Sequence, residues 1–122
     1  MQYRESAEQK AFVFWFKTQY PKFSFNIMSI PNGQNVGKHA GKILKETGLL
    51  KGAPDLFIAV PTVIHSGLFI EMKVKGGKVN SHQELVHEVL RDFCYDVRVC
   101  WSCDEAIEST KSYLLPNSFE RA

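Results

Sequence analysis

Apolar residues recur at three- and four-residue spacing near the start of the chain, where Ala11, Phe12, Trp15 and Phe16 mark one face of a helix. Ser6, with Gln9 three positions on, supplies its capping pair, and Pro21 ends it because a proline ring cannot continue helical hydrogen bonding. Residues 23–30 then read as extended, and Pro31, Asn32 and Gly33 as a turn, since Gly33 accepts positive φ without strain. A second helix is predicted over residues 36–47, stopped by Gly48. Residues 56–60 read as a buried strand and residues 67–73 as its neighbour, joined through a turn at residues 61–66. Beyond the Gly76-Gly77 loop, Ser81 caps a third helix with Glu84 in the reciprocal position, and Leu85, Val86, Val89, Leu90 and Phe93 form its apolar face. Residues 97–101 make the next strand. Ser102 and Glu105 form another capping box, leading into a last helix through Ala106, Ile107, Thr110, Tyr113 and Leu114. The order helix, helix, strand, strand, helix, strand, helix predicts an α/β layered domain.

Composition narrows this picture. The 122 residues are 44% hydrophobic and 23% charged, close to globular averages, which sets aside disorder and disulfide scaffolds. A single domain over residues 1–122 is expected, with a loose tail from about residue 116. No apolar run approaches the roughly 20 residues of a membrane helix. Residues 12–16 are stopped by Lys17, and residues 56–60 lie between Asp55 and Pro61, so no membrane association is expected. The N-terminus lacks the basic-then-apolar order of a signal peptide, which makes a cytoplasmic setting with reduced thiols the expectation. A net charge of +2 is too small to argue for nucleic acid by itself.

The candidate chemistry lies on the two paired strands. Asp55 starts one of them, and Glu71, Met72 and Lys73 lie near the end of the next. Side chains alternate along a strand, so Glu71 and Lys73 share a face that Met72 does not. If the strands form a hairpin, two carboxylates and an ammonium converge. Hard cations such as Mg²⁺ take carboxylate oxygens, and a lysine beside one can orient water or neutralise charge on a phosphate. The same spacing also suits an ordinary salt bridge across a strand face.

Gly52-Ala-Pro54-Asp55 followed by Glu71-Met-Lys73 resembles the PD-(D/E)xK nuclease signature. With Ile30-Pro-Asn-Gly33 before it and Ser81-x-Gln83 after it, the pattern is similar to the stand-alone, virus-type VRR-NUC branch, over residues 8–114. The resemblance implies a restriction-endonuclease-like core, a mixed sheet flanked by helices, and metal-dependent hydrolysis of DNA phosphodiester bonds. By the same resemblance, Asp55 and Glu71 ligate Mg²⁺ or Mn²⁺, with the Met72 carbonyl completing the coordination. Lys73 assists the attacking water, and Gln83 orients catalytic groups. Glu8 fits the acidic position of the first helix, with Glu5 close by as the alternative. Ser29 departs from the pattern, since relatives often carry a histidine before the Pro-Asn-Gly turn. Stand-alone members are associated with branched DNA such as Holliday junctions, and cutting both strands of a junction needs two sites, so a homodimer is the expected form. A virus-type member would work in the cytoplasm of a bacterial host cell.

Charge placement agrees with a DNA substrate. Lys38, Lys42, Lys45 and Lys51 are accompanied by the single acid Glu46, and Lys75 and Lys78 flank the glycine loop. Such lysines can hold phosphates without reading sequence. A solvated helix face is the plainer account of any one of them. The competing function is a non-catalytic DNA-binding module or nuclease remnant on the same fold.

Three other signals in the sequence have plainer readings. Residues 37–43 are similar to a phosphate loop, but the spacing is short and Ile43 stands where Ser or Thr would hold the metal, so no nucleotide cofactor is expected. Cys100 and Cys103 have C-x-x-C spacing without a second pair, and a strand end followed by a helix start accounts for them. His39, His65, His82 and His87 lack ligand spacing and read as surface or capping residues.

Overall fold

A computed structural model describes residues 3–31 and 36–115. Within them α1 (Tyr3–Gln19) leads through a 3₁₀ turn (Pro21–Phe23) into β1 (Ile27–Ser29). There follow α2 (Lys38–Glu46), β2 (Leu56–Ile58), β3 (Gly67–Met72), α3 (Ser81–Asp92), β4 (Tyr95–Cys100) and α4 (Cys103–Tyr113). The turn at Asn32 and Gly33 and the tail from residue 116 lie outside the described residues. No helix among the described residues is long and apolar enough to cross a membrane.

The strands form one mixed sheet in the order β1-β2-β3-β4. The first two pairings are antiparallel, and β3 and β4 run parallel with α3 as the crossover that parallel strands require. Alternation then divides the side chains. Leu56, Ile58, Leu68, Ile70 and Met72 are buried against Phe12 and Phe16 of α1 and Ala106 and Tyr113 of α4. The opposite face carries the stacked pair Phe57 and Phe69, with Tyr95 set edge-on to both. Tyr113 closes the core with its hydroxyl donating to Val60 O at 2.7 Å, which satisfies a buried polar group.

The mixed α/β architecture is the expected one, and several local readings change. The first helix starts at Tyr3, so Ser6 lies inside it rather than capping it, and Ala11 is exposed. Residues 27–29 form an additional short strand, because Ser29 pairs with Leu56 and Ile27 with Ile58. The last strand is Tyr95–Cys100, starting two residues and ending one residue earlier than predicted. The cap of α3 is Asn80, whose side chain accepts from Gln83 N, with Gln83 replacing Glu84 as the reciprocal partner. Ser102 caps α4 as expected, accepting from Glu105 N at 3.1 Å.

The largest departure is the rotation of α3. His87 is its buried residue, whereas Leu85, Val89 and Phe93 are 58%, 49% and 71% exposed. Periodicity identifies one side of a helix but not which side meets the sheet. Here Gln83 and His87 turn toward the sheet, with Val86 and Leu90 half-buried beside them.

Candidate active site

The antiparallel register pairs Leu56 with Ile70, so the next step along each strand sets Asp55 against Glu71. Asp55 Oδ2 accepts from Met72 N at 2.7 Å, and Asp55 O accepts from Ile30 N at 2.8 Å. Three consecutive strands of the sheet are thereby tied at one end. Gly52 allows the preceding loop to come this close. Its φ is +88°, and a Cβ there would stand 2.8 Å from His82 Cδ2 and 3.1 Å from His82 O. Only a residue without a side chain fits between the loop and the start of α3.

Both carboxylates are buried, Asp55 at 8% exposure and Glu71 at 3%. Burial, followed by the neighbouring Glu71 carboxylate, pushes Asp55 up to about 7, against the lowering effect of the Met72 N–H; the more distant Glu5 adds to the rise. Two carboxylates held this closely resist being ionised together, so the pair calls for a proton or a cation between them.

Lys73 and Gln83 complete the cluster. Gln83 Oε1 accepts from Lys73 Nζ at 2.9 Å and from Asn80 N at 3.0 Å, while its Nε2 donates to Glu71 Oε2 at 3.3 Å. Lys73 Nζ is also 3.8 Å from Glu71 Oε2. The amide that reaches back to cap α3 is therefore the one that bridges the lysine and the carboxylate. The structure brings Asp55, Glu71, Lys73 and Gln83 together, with Met72 contributing its N–H.

Glu8 lies beside Val74 and Lys75, just past Lys73, and is bonded to the start of α4. Its Oε1 accepts from Cys103 N at 2.8 Å and satisfies a free N–H in the first turn of α4. The first-helix acid that Asp55 feels is Glu5. Glu8→Gln is expected to cost about 1 kcal/mol of stability, the scale of a weakened cap, and to leave metal-dependent behaviour intact. Thermal melts with and without Mn²⁺ check this, and loss of the metal response would return Glu8 to the site.

The six lysines divide between two surfaces. Lys38, Lys42 and Lys45 lie along exposed α2, with Lys51 exposed beyond it. Lys75 and Lys78 are exposed around the Gly76 turn, and Trp101 fixes that turn by donating its indole N–H to Gly77 O at 2.8 Å. Among the described residues none of the six pairs with Asp55 or Glu71. The cysteines show no redox preparation. Cys100 is buried with Sγ 3.7 Å from Ser109 Oγ, and burial followed by Glu8 pushes the Cys103 thiol up rather than down.

His87 was missed in the sequence and belongs to this region. It is 2% exposed, and its Nε2 lies 3.9 Å from Glu71 Oε1. Neither atom has a hydrogen-bond partner. The available signal was its position one helical turn beyond Gln83, on the same side of α3.

A sequence model of the VRR-NUC domain matches residues 3–104. The chain belongs to the VRR-NUC domain family. A solved structure described as a VRR_NUC domain protein superimposes with a TM-score of 0.81 at 25% sequence identity, covering 98% of this chain and 95% of the other. No curated protein matches the chain in sequence. The VRR-NUC domain is of nuclease type, and the four-stranded mixed sheet flanked by helices is its PD-(D/E)xK-like core.

Nucleases of this kind typically use divalent metals. Among the described residues of this VRR-NUC chain, no three His, Cys, Asp or Glu side chains gather into a metal cage. The fit is instead to a hard cation held by two carboxylates, water and substrate phosphate, the usual arrangement for Mg²⁺. Two carboxylates buried side by side at the paired strand ends, with Asp55 pushed up by burial and by Glu71, favour a cation there.

Proposed function

We propose that this chain is a metal-dependent DNA endonuclease, selective for branched DNA such as a four-way junction. The observation that carries this reading is a pair of buried carboxylates, Asp55 and Glu71, bracketed by Lys73 through the Gln83 amide. Asp55 and Glu71 would hold Mg²⁺ or Mn²⁺, with the Met72 carbonyl as a further ligand. When bound, the ion lowers the pKa of attached water and screens charge developing on the phosphate.

The protein's own groups supply position and charge. Lys73, its ammonium fixed at 2.9 Å from Gln83 Oε1, is held from swinging away and orients the attacking water toward phosphorus. A new bond forms from water oxygen to phosphorus as that water releases a proton to solvent, one ester P–O bond breaks, and the departing oxygen takes up a proton from solvent. The exposed lysines of α2 and of the loop after β3 hold the flanking phosphates without reading sequence. A second copy is the expected partner, because two strands of a junction need two sites. A monomeric mass in light scattering would remove that part of the reading.

The deciding experiment is cleavage of labelled linear duplex, flap and four-way-junction DNA in Mg²⁺, Mn²⁺ or EDTA. Cutting in either metal and none in EDTA is expected, with the junction preferred. Lys73→Ala is expected to slow cutting by about 10²–10³-fold, the scale of losing one positioned charge in an active site. Binding without cutting in both metals would favour a non-catalytic DNA-binding module.

A further inference from the structure

We propose that His87 is a positioning residue for Glu71, donating its Nε2–H to Glu71 Oε1 when a divalent cation is bound; this rests on the metal-dependent reading above. The rotation of α3 is the first ground. The helix leaves Leu85, Val89 and Phe93 in solvent and turns inward a side chain whose ring nitrogen has no partner. Val86 and Leu90 are half-buried on α3 as well, so the inward side mixes apolar packing with these polar groups. The inward side gains two polar groups one turn apart, Gln83 and His87, both directed at the same carboxylate.

The second ground is how the two oxygens of Glu71 are used. Oε2 is taken by Gln83 Nε2 at 3.3 Å and approached by Lys73. Oε1 is buried without a partner, facing the equally unpartnered His87 Nε2 across 3.9 Å. That gap is longer than a hydrogen bond, and a shift of the ring or carboxylate that closed it would satisfy both atoms at once. A carboxylate gripped at both oxygens from one helix cannot spin about its last bond, and its remaining lone pairs then stay directed toward the Asp55 side. Neighbouring groups that fix a metal ligand in this way govern its affinity for the ion.

The test is Mn²⁺ binding to the whole chain without DNA, measured by titration calorimetry. His87→Leu keeps the volume near that of the imidazole but removes the donor, and is expected to weaken Mn²⁺ binding about tenfold. His87→Gln restores an N–H at similar reach and is expected to recover most of the affinity. Equal affinity in a folded His87→Leu chain would overturn the proposal, as would a His87→Gln chain no better than His87→Leu. Asp55→Asn serves as the control, since binding that survives it would show that the metal reading itself has failed. Should His87→Leu not fold, the wild-type ring is followed by two-bond ¹H–¹⁵N NMR with Mg²⁺. A slowly exchanging, downfield-shifted Nε2–H at saturation is expected. An unchanged His87 ring, with Asp55-dependent Mg²⁺ binding seen elsewhere in the spectrum, would overturn the assignment.

Discussion

Asp55→Asn is expected to reduce DNA cleavage by about 10³-fold or more while raising the melting temperature of the metal-free chain. The amide oxygen of Asn can still accept from Met72 N, so the connection between the start of β2 and the end of β3 survives. What disappears is one of the two negative charges available to a cation. Losing several kcal/mol of metal stabilisation corresponds to the stated factor, since each 1.36 kcal/mol is tenfold in rate. Stability moves the other way because the buried Asp55 charge faces Glu71. A carboxyl moved from 3.8 to about 7 sets an upper bound of about 4 kcal/mol on the gain above neutral pH. Relaxation and water entry will leave part of it, an increase of several degrees for a chain of this size. Calorimetry beside the cleavage assay checks both halves. A variant that cuts DNA normally would remove Asp55 from the site.

Stability of the metal-free chain is expected to fall as pH rises from about 4 to about 7 and to level off above that. The folded state holds a proton on Asp55 up to about pH 7, whereas the unfolded chain releases it near 3.8. Between those values the folded state binds more protons, so each added pH unit costs it up to about 1.36 kcal/mol from this group. The usual salt-bridged carboxylate has the opposite slope. A cation competes with the proton for the same oxygens, so excess Mn²⁺ is expected to flatten the slope and to bind more tightly toward neutral pH. Asp55→Asn should flatten it as well. Thermal melts from pH 4.5 to 8 with and without Mn²⁺ decide the matter, and a wild-type slope that is absent or rising would contradict this account of the carboxylate pair.

The site was more legible in the sequence than the packing around it. Alternation along two adjacent strands is a short-range rule, so Asp55, Glu71 and Lys73 could be placed together once the strands were taken as a hairpin, and the register bears out that geometry. Gln83 came with the motif that resembles the family. Helix rotation is set by partners distant in sequence, which is why Leu85, Val89 and Phe93 read as core and stand in solvent while His87 read as surface and is buried. Glu8 and Glu5 lie one turn apart on α1, and only the arrival of Cys103 N shows that Glu8 serves the start of α4. Asn80 displaced Ser81 as the cap because both residues suit that position, and the choice turns on where the side chain of Gln83 must reach.

The double employment of the Gln83 amide narrows which side chains can serve there. Glutamate would cap the helix as well as glutamine does, yet it would bring a third carboxylate against Asp55 and Glu71. Leucine is a good helix former, but it would leave Lys73 without its acceptor and the Asn80 N–H without its partner. Asparagine carries the right groups on a shorter stem that cannot span from Asn80 to Glu71. Lysine would offer donors where Lys73 needs an acceptor. Each of these substitutions satisfies one role at the expense of the other, so glutamine is the side chain that serves both at position 83, although it is only half-buried.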